Sequence, residues 1–158
     1  MRNTLSIAVA IGLLIAAVCG PEVAAGAVKP PKNPARIDLE VSPASVPAGG
    51  KADVTLTIAP IDGVKIARYP QIRLQVPESL GLVGAAEVRI GSRTPPPPDR
   101  LNDNYWKQVD PVTLTLAVDA SATSGAHEIE AKLTYYFCVS GNYCAPARVP
   151  LTIPLAVD

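Results

Sequence analysis

The sequence has little of several residue types that usually carry chemistry. Its 158 residues include one His, one Trp, one Phe and three Cys, and 14 basic residues balance 14 acidic ones. Nucleic acids and anionic membrane surfaces need a basic patch that releases their counterions, so we expect neither as the main partner of a neutral chain. No Gly-rich phosphate loop, paired-carboxylate motif or Ser/His/Asp set stands out, so the common catalytic motifs are not indicated.

Only one apolar run approaches the roughly 18 residues that a membrane-spanning helix needs, and it lies at the N-terminus. Arg2 precedes an almost unbroken apolar stretch from Leu5 to Val18, and the small residues Ala25-Gly26-Ala27 follow. This pattern predicts a secretory signal over residues 1–27 that is cleaved after Ala27, with Ala25 as the second choice. Cys19 raises the alternative of a lipoprotein, which the bulky residue before it disfavours. We therefore expect an exported, periplasmic protein whose mature chain has no membrane span.

Prolines dominate residues 28–36, which we interpret as an extended leader, and residues 37–158 are predicted to form one all-β domain. Apolar residues recur there at every second position, which is typical of half-buried strands. Seven short strands separated by Pro/Gly turns predict an immunoglobulin-like β-sandwich. They cover residues 37–41, 54–58, 72–76, 87–90, 112–118, 129–135 and 149–155. Prolines at alternate places in the last strand indicate an edge strand.

One long loop interrupts the regular spacing of the strands. Residues 95–98 are four consecutive prolines, which predict polyproline II structure, and residues 102–106 then end in Tyr105 and Trp106. Long loops in economical domains are more often functional than short ones. Trp106, the only Trp, could alternatively fold back to cover the core, and the sequence leaves both roles open.

Two cysteines remain after the predicted signal is removed, and in an oxidising compartment they most simply form one disulfide. We predict that a strand ends at Phe137, that residues 140–142 turn, and that a new strand starts after Pro146, so that Cys138 and Cys144 lie on opposite arms of a hairpin. Closing so short a ring removes only about 2.4 kcal/mol of chain entropy, against about 4.7 for a 100-residue loop. A structural staple and a redox-active bridge therefore both remain open.

Other site chemistry has less support. Two Cys supply only two metal ligands, which makes a soft metal such as Cu(I) a weak third interpretation. His127 precedes Cys138 by eleven residues, or about 36 Å along a continuous strand, so it is expected neither to join a metal site nor to act as a base. We predict no cofactor and no metal site.

The cysteine segment resembles the N-terminal periplasmic domains of thiol:disulfide interchange proteins of the DsbD type. The resemblance covers roughly residues 50–155, and only the cysteine hairpin is at all specific. It rests on Tyr135-x-x-Cys138-x5-Cys144-x-Pro146, on Arg148-Val149-Pro150-Leu151, on Asp62-Gly63 followed by Gln71-Ile72-Arg73-Leu74, and on residues 109–118. The four prolines before the aromatic loop are a departure from the family pattern.

The resemblance implies a domain that cycles between disulfide and dithiol. It implies thioredoxin-like periplasmic proteins as electron donor and acceptor, including those of cytochrome c maturation. Cys144 then forms mixed disulfides with partners, and Cys138 resolves them. A cap loop shields the pair, with Asn104 and either Tyr105 or Trp106 in that role, and the aromatic residues nearest the site are Tyr136, Phe137 and Tyr143.

The sequence offers no residue that obviously favours the thiolate form of either cysteine, so a donor's thiolate would have to drive the exchange. The alternative function is a non-catalytic exported β-sandwich that binds a protein partner and uses the hairpin disulfide as a local staple. Under either interpretation we expect a monomer.

Overall fold

The computed structural model describes residues 31–139 and 143–158 of the chain. The predicted signal, its cleavage sites, Cys19 and the turn at residues 140–142 lie outside the described residues, and the statements about them stay predictions. No helix within the described residues is long and apolar enough to span a membrane.

The described residues form nine strands and one 3₁₀ segment. Each long strand follows the period-two pattern of its sequence, with apolar side chains buried or half-buried at alternate positions. In chain order the elements are β1 (Ala35–Ser42), β2 (Ser45–Val46), β3 (Lys51–Pro60), β4 (Val64–Ile66), β5 (Ile72–Val76), β6 (Ala86–Ile90), the 3₁₀ segment (Pro98–Asn104), β7 (Val112–Ala117), β8 (Gly125–Val139) and β9 (Tyr143–Val157).

Two sheets pack face to face. One has the order β1-β3-β7, and the other has the order β2-β9-β8-β5-β6, with β4 paired beside the end of β8. The alternating apolar side chains of both sheets form a single buried core. The predicted all-β class and the immunoglobulin-like β-sandwich are confirmed.

All seven predicted strands are present, and the structure adds small elements that the sequence did not predict. β2 and β4, of two and three residues, were not predicted because their pairing with β9 and β8 is non-local and their apolar pattern is too short to recognise. Pro98–Asn104 is a 3₁₀ segment, so polyproline II structure does not continue through the last of the four prolines. β1 begins at Ala35, two residues before the predicted strand, and the preceding Pro34 is buried, with its carbonyl accepting a hydrogen bond from the Ile61 amide.

The β8–β9 hairpin positions the cysteines. Its two strands of 15 residues each pair without interruption from Gly125 opposite Val157 to Val139 opposite Tyr143. The predicted strand ends at Phe137 and after Pro146 were therefore wrong, since the ladder runs on past both cysteines to Val139 and Tyr143. Within the described residues, the other edge of β9 pairs only with the two residues of β2, so β9 is an edge strand over most of its length, as its prolines predicted.

Candidate functional site: a cross-strand disulfide beneath a capping loop

Cys138 and Cys144 are bonded to each other at directly opposite positions of β8 and β9. The S–S distance is 2.00 Å and the two Cα atoms are 4.1 Å apart. Both side chains leave the outer face of the sheet, because the neighbouring Phe137 points into the core on the other face. Cys144 is exposed and Cys138 is half-buried. The disulfide therefore lies at the surface of one sheet and does not tie the two sheets together.

A third strand adds a cation to this pair. β4 lies on the other side of β8, and its Lys65 is directly opposite Cys138. Lys65 is exposed between the buried Val64 and Ile66, so its side chain is on the same outer face as the disulfide. Lys65, Cys138 and Cys144 thus form one row across three strands, which we call the outer row. The row ends at Cys144 on β9, at the edge of the sheet where no other described strand pairs with this part of β9, here called the free edge.

The loop of residues 102–106, here called the cap loop, is fastened beside this row by Asn104. The Asn104 side chain accepts a hydrogen bond from the Tyr69 amide and donates one to the Tyr69 carbonyl, both at 2.9 Å. The Asn104 carbonyl also accepts from the Arg68 amide at 2.5 Å. A primary amide that satisfies both groups of one backbone residue fixes the loop in position and in orientation. Asn104 was predicted as a cap-loop residue, and the structure places it as the anchor of that loop.

Tyr105 reaches the disulfide from this anchored position. Its hydroxyl lies 3.4 Å from the Cys138 Sγ atom, and its backbone forms an isolated bridge with Ala67. The Lys65 ammonium lies 5.3 Å from the centre of the Tyr105 ring, within the range of a cation–π contact. Tyr105 therefore covers Cys138 and leaves Cys144 open.

Trp106 takes the other direction. Its ring is half-buried and packs against the core cluster, and its amide donates to the Ile66 carbonyl at 3.0 Å. The Arg68 guanidinium stacks on the outward side of the ring at 4.6 Å from its centre. Of the two aromatic residues that the sequence left as alternatives, Tyr105 is the one beside the disulfide and Trp106 is the one at the core.

Two of the three aromatic residues nearest to the cysteines in sequence face away from the disulfide. Phe137 and Tyr143 face the inner side of the sheet, where their ring centres are 6.4 Å apart. Expecting them at the site was wrong, because adjacent residues of a strand point to opposite faces. Tyr136 does lie on the outer face, where it lines a separate open cavity with Tyr69, Gln71, Arg73, Arg89 and Arg93.

The inner face also holds Tyr135, which is fully buried. Burial raises the pKa of Tyr135 to about 12, because a phenolate would lose its water there, and the nearby Ala35 backbone opposes this shift only in part. Among the described residues no group meets the Tyr135 hydroxyl with hydrogen-bond geometry. Tyr135 is thus a core residue with an unused polar atom and is separated from the disulfide by the sheet.

The remaining candidate, His127, is far from the cysteines. It lies near the start of β8, eleven residues before Cys138, and its Nε2 atom is 2.8 Å from the Thr123 carbonyl oxygen. Across residues 31–139 and 143–158, no three side chains of His, Cys, Asp or Glu gather in the way a metal site requires.

Lys65 is the site residue that sequence reasoning missed. Its place opposite Cys138 depends on the register of β4 against β8, which joins residues more than seventy positions apart. The alternation of Val64, Lys65 and Ile66 indicated a residue that faces solvent, but three residues carry no information about which strand they join.

Comparisons with known proteins give a structural likeness alone. No protein-family model matches the chain, and no curated protein sequence matches it. Among solved structures, the chain is similar to the cohesin module of a family 33 glycoside hydrolase from Clostridium perfringens ATCC13124, with a TM-score of 0.41 and 13% sequence identity. That alignment covers 78% of this chain and 98% of the module.

Proposed function

We propose that this protein is a thiol–disulfide exchange module that passes electrons between thioredoxin-like proteins through the Cys138–Cys144 pair. The observation that supports it best is the unequal exposure of the two sulfurs. Cys144 is open at the free edge of the sheet, whereas Tyr105 covers Cys138. The resemblance of the cysteine segment to the N-terminal domains of DsbD-type proteins supports the same function, together with a periplasmic location.

Geometry favours attack on Cys144. In thiol–disulfide exchange the incoming thiolate approaches one sulfur in line with the bond that breaks, so access to that line decides which sulfur reacts. A cross-strand S–S bond runs roughly from one strand to the next. The line that leads to Cys144 comes in over the free edge of β9, while the line that leads to Cys138 passes Lys65 and Tyr105.

The exchange then follows in balanced steps. A thiolate of a reduced donor bonds to the Cys144 sulfur, the Cys138–Cys144 bond breaks, and Cys138 leaves as a thiolate. The donor's second thiolate then bonds to the first, which releases Cys144 and leaves the donor as a disulfide. In the second half, the Cys144 thiolate bonds to one sulfur of an acceptor's disulfide, and the other acceptor sulfur leaves as a thiolate. The Cys138 thiolate then bonds to Cys144 and expels the first acceptor sulfur as a thiolate. Two electrons pass from donor to acceptor in each cycle.

The contacts around the disulfide weaken the alternative of a local staple. β8 and β9 are paired at fifteen opposite positions, of which the cysteines are one, so the hairpin is already held by its backbone ladder. A bridge at such a place can restrict the unfolded chain by no more than the short-ring value of about 2.4 kcal/mol. A bridge that stabilises little, lies at the surface and has an aromatic cover on one sulfur is better suited to exchange.

Trapping of a mixed disulfide tests this function. A Cys138→Ala variant keeps the exposed thiol and lacks the resolving one, so it should accumulate a covalent complex with an oxidised thioredoxin-like protein. The matched control, Cys144→Ala, keeps only the covered thiol and should accumulate at least tenfold less complex. Separation by non-reducing electrophoresis and mass spectrometry measures both yields. If Cys138→Ala traps no more than Cys144→Ala, the assignment of roles is wrong, and if neither variant traps a partner, the exchange function fails.

A further inference from the structure

We propose that Lys65 stabilises the Cys138 thiolate and so makes Cys138 the leaving group when a partner attacks Cys144. This inference rests on the proposed exchange function and adds to it a residue on a different strand. When a partner bonds to Cys144, the covered sulfur of Cys138 becomes a thiolate, and the Lys65 cation stabilises its negative charge.

The position of Lys65 supports the inference first. Directly opposite residues on neighbouring antiparallel strands have Cβ atoms about 5 Å apart, and Lys65 and Cys138 occupy such positions on the same face. The Lys65 ammonium also lies over the Tyr105 ring, whose hydroxyl is 3.4 Å from the Cys138 sulfur. The cation and the sulfur thus both contact Tyr105, and its hydroxyl can donate a hydrogen bond to a thiolate at Cys138.

The charged groups that line the groove beside Lys65 and Tyr105 are predominantly positive. Besides Lys65, the groove under the cap loop is lined by Arg68, Arg100, Asp103 and Lys107. Asp103, the one acid among them, is paired with Arg100 at 2.7 Å. Within the described chain, no carboxylate lies within 4.0 Å of the Lys65 ammonium. From β9 the residue directly opposite Cys138 is Cys144, which is uncharged while it is bonded to Cys138.

The chemical consequence concerns the bond that breaks. When a donor thiolate bonds to Cys144, the electron pair of the old S–S bond goes to Cys138. A leaving thiolate of lower basicity departs faster, and a cation next to a thiol lowers its basicity. Lys65 therefore speeds reduction without touching the attacking partner.

The first test is a titration of Cys138 alone. In a Cys144→Ser background, the ultraviolet absorbance of the thiolate reports the pH at which Cys138 ionises. Lys65→Met should move this midpoint upward by about 0.5–1 pH unit. This shift is smaller than the usual effect of a nearby opposite charge, because Lys65 is exposed to solvent. Lys65→Arg should restore the midpoint to within about 0.2 unit of the parent. The control Lys107→Met removes a cation that lines the same groove but is not opposite Cys138, and it should move the midpoint by less than about 0.2 unit.

The second test measures the leaving step without a protein partner. Dithiothreitol in excess reduces the Cys138–Cys144 bond of the otherwise unchanged protein, and loss of the disulfide is followed by alkylation and mass. Lys65→Met should slow this reduction about two- to threefold, and Lys65→Arg should not. Sodium chloride at about 1 M should bring the unmutated protein toward the rate of Lys65→Met, because the charge is exposed to solvent.

Three results would overturn the inference: a midpoint unchanged in Lys65→Met, an equal shift in Lys107→Met, or no recovery in Lys65→Arg. If Lys65→Met lowers thermal stability, the effect of sodium chloride on the reduction rate of the unmutated protein tests the same charge without a substitution. The titration uses no partner protein, so its failure would contradict the role of Lys65 and not the exchange function. Failed trapping by Cys138→Ala would contradict the exchange function and would not affect the titration.

Discussion

The inner and outer faces of the β8–β9 hairpin are built from alternate residues of the same two strands. On the inner face, Leu133, Tyr135 and Phe137 are buried in the core. On the outer face, Cys138 and Cys144 lie near or at the surface, next to a cation and a capping ring. The inner face should therefore determine stability, and the outer face should determine reactivity. A strand that is long and well paired can carry both because the two sets of side chains do not contact each other.

Leu133→Ala should have the largest effect, a loss of stability with little change in the reactivity of the disulfide. Leu133 is fully buried, so its truncation leaves a cavity and should lower the free energy of unfolding by about 3 kcal/mol. The rate at which dithiothreitol reduces the disulfide of the folded variant should stay within about twofold of the parent. Urea unfolding and reduction kinetics measure the two effects, and Lys132→Ala, the exposed neighbour on the outer face, should change stability by less than about 0.5 kcal/mol. A large change in reduction rate for Leu133→Ala would show that the faces are coupled.

Asn104→Ala should have a smaller effect on stability and a clear one on reactivity. The variant loses both side-chain hydrogen bonds to Tyr69, which should cost about 1–2 kcal/mol and release Tyr105 from Cys138. Reaction of the disulfide with glutathione should then yield a mixed disulfide on Cys138 as well as on Cys144, where the parent should react at Cys144 alone. Peptide mapping identifies the modified sulfur. The exposed Asn102, in the same loop, supplies the control Asn102→Ala, which should retain the parent's selectivity. If Asn104→Ala reacts with glutathione at Cys144 alone, as the parent does, the cap loop does not protect Cys138.

The smallest effect concerns Tyr135 and appears only in alkaline solution. Because the pKa of Tyr135 is raised from 10.0 to about 12 in the folded state, the unfolded chain loses this proton first as the pH rises. The contribution of the neutral Tyr135 side chain to the free energy of unfolding is complete below about pH 10 and is lost between about pH 10 and 12. Tyr135→Phe should be near neutral at pH 7, since it removes an unpaired buried hydroxyl, and should become more stable than the parent by up to about 2 kcal/mol near pH 12. Equal pH dependence in both proteins would mean that Tyr135 does not contribute.

Much of the fold could be predicted from alternation alone. Strands such as 54–58 and 129–135 have apolar residues at every second position, and burial of one face is enough to specify them. β4 could not be found in this way, because three residues gain their structure from pairing with β8 rather than from their own pattern. The end of β8 was predicted too early and the start of β9 too late for the same reason, since pairing between the two strands extends the ladder to Val139 and Tyr143.

The site shows the same division between local and non-local information. The cysteine pairing and the presence of a functional-looking loop follow from local sequence. The opposite facing of Phe137 and Cys138 also followed from local parity and was overlooked. Lys65 and the different positions of Tyr105 and Trp106 depend on how distant segments meet, through the β4–β8 register and the Asn104–Tyr69 contact.

The reduction potential of the Cys138–Cys144 pair tests the central claim most directly. It is measured by equilibrating the protein with glutathione or thioredoxin buffers of known potential and counting free thiols by alkylation and mass. A surface bridge that cycles between partners should have a potential above about −300 mV, in the range of thioredoxin at about −270 mV and protein disulfide isomerase at about −180 mV. A value well below about −300 mV would place the bridge among resistant structural disulfides and would contradict the exchange function.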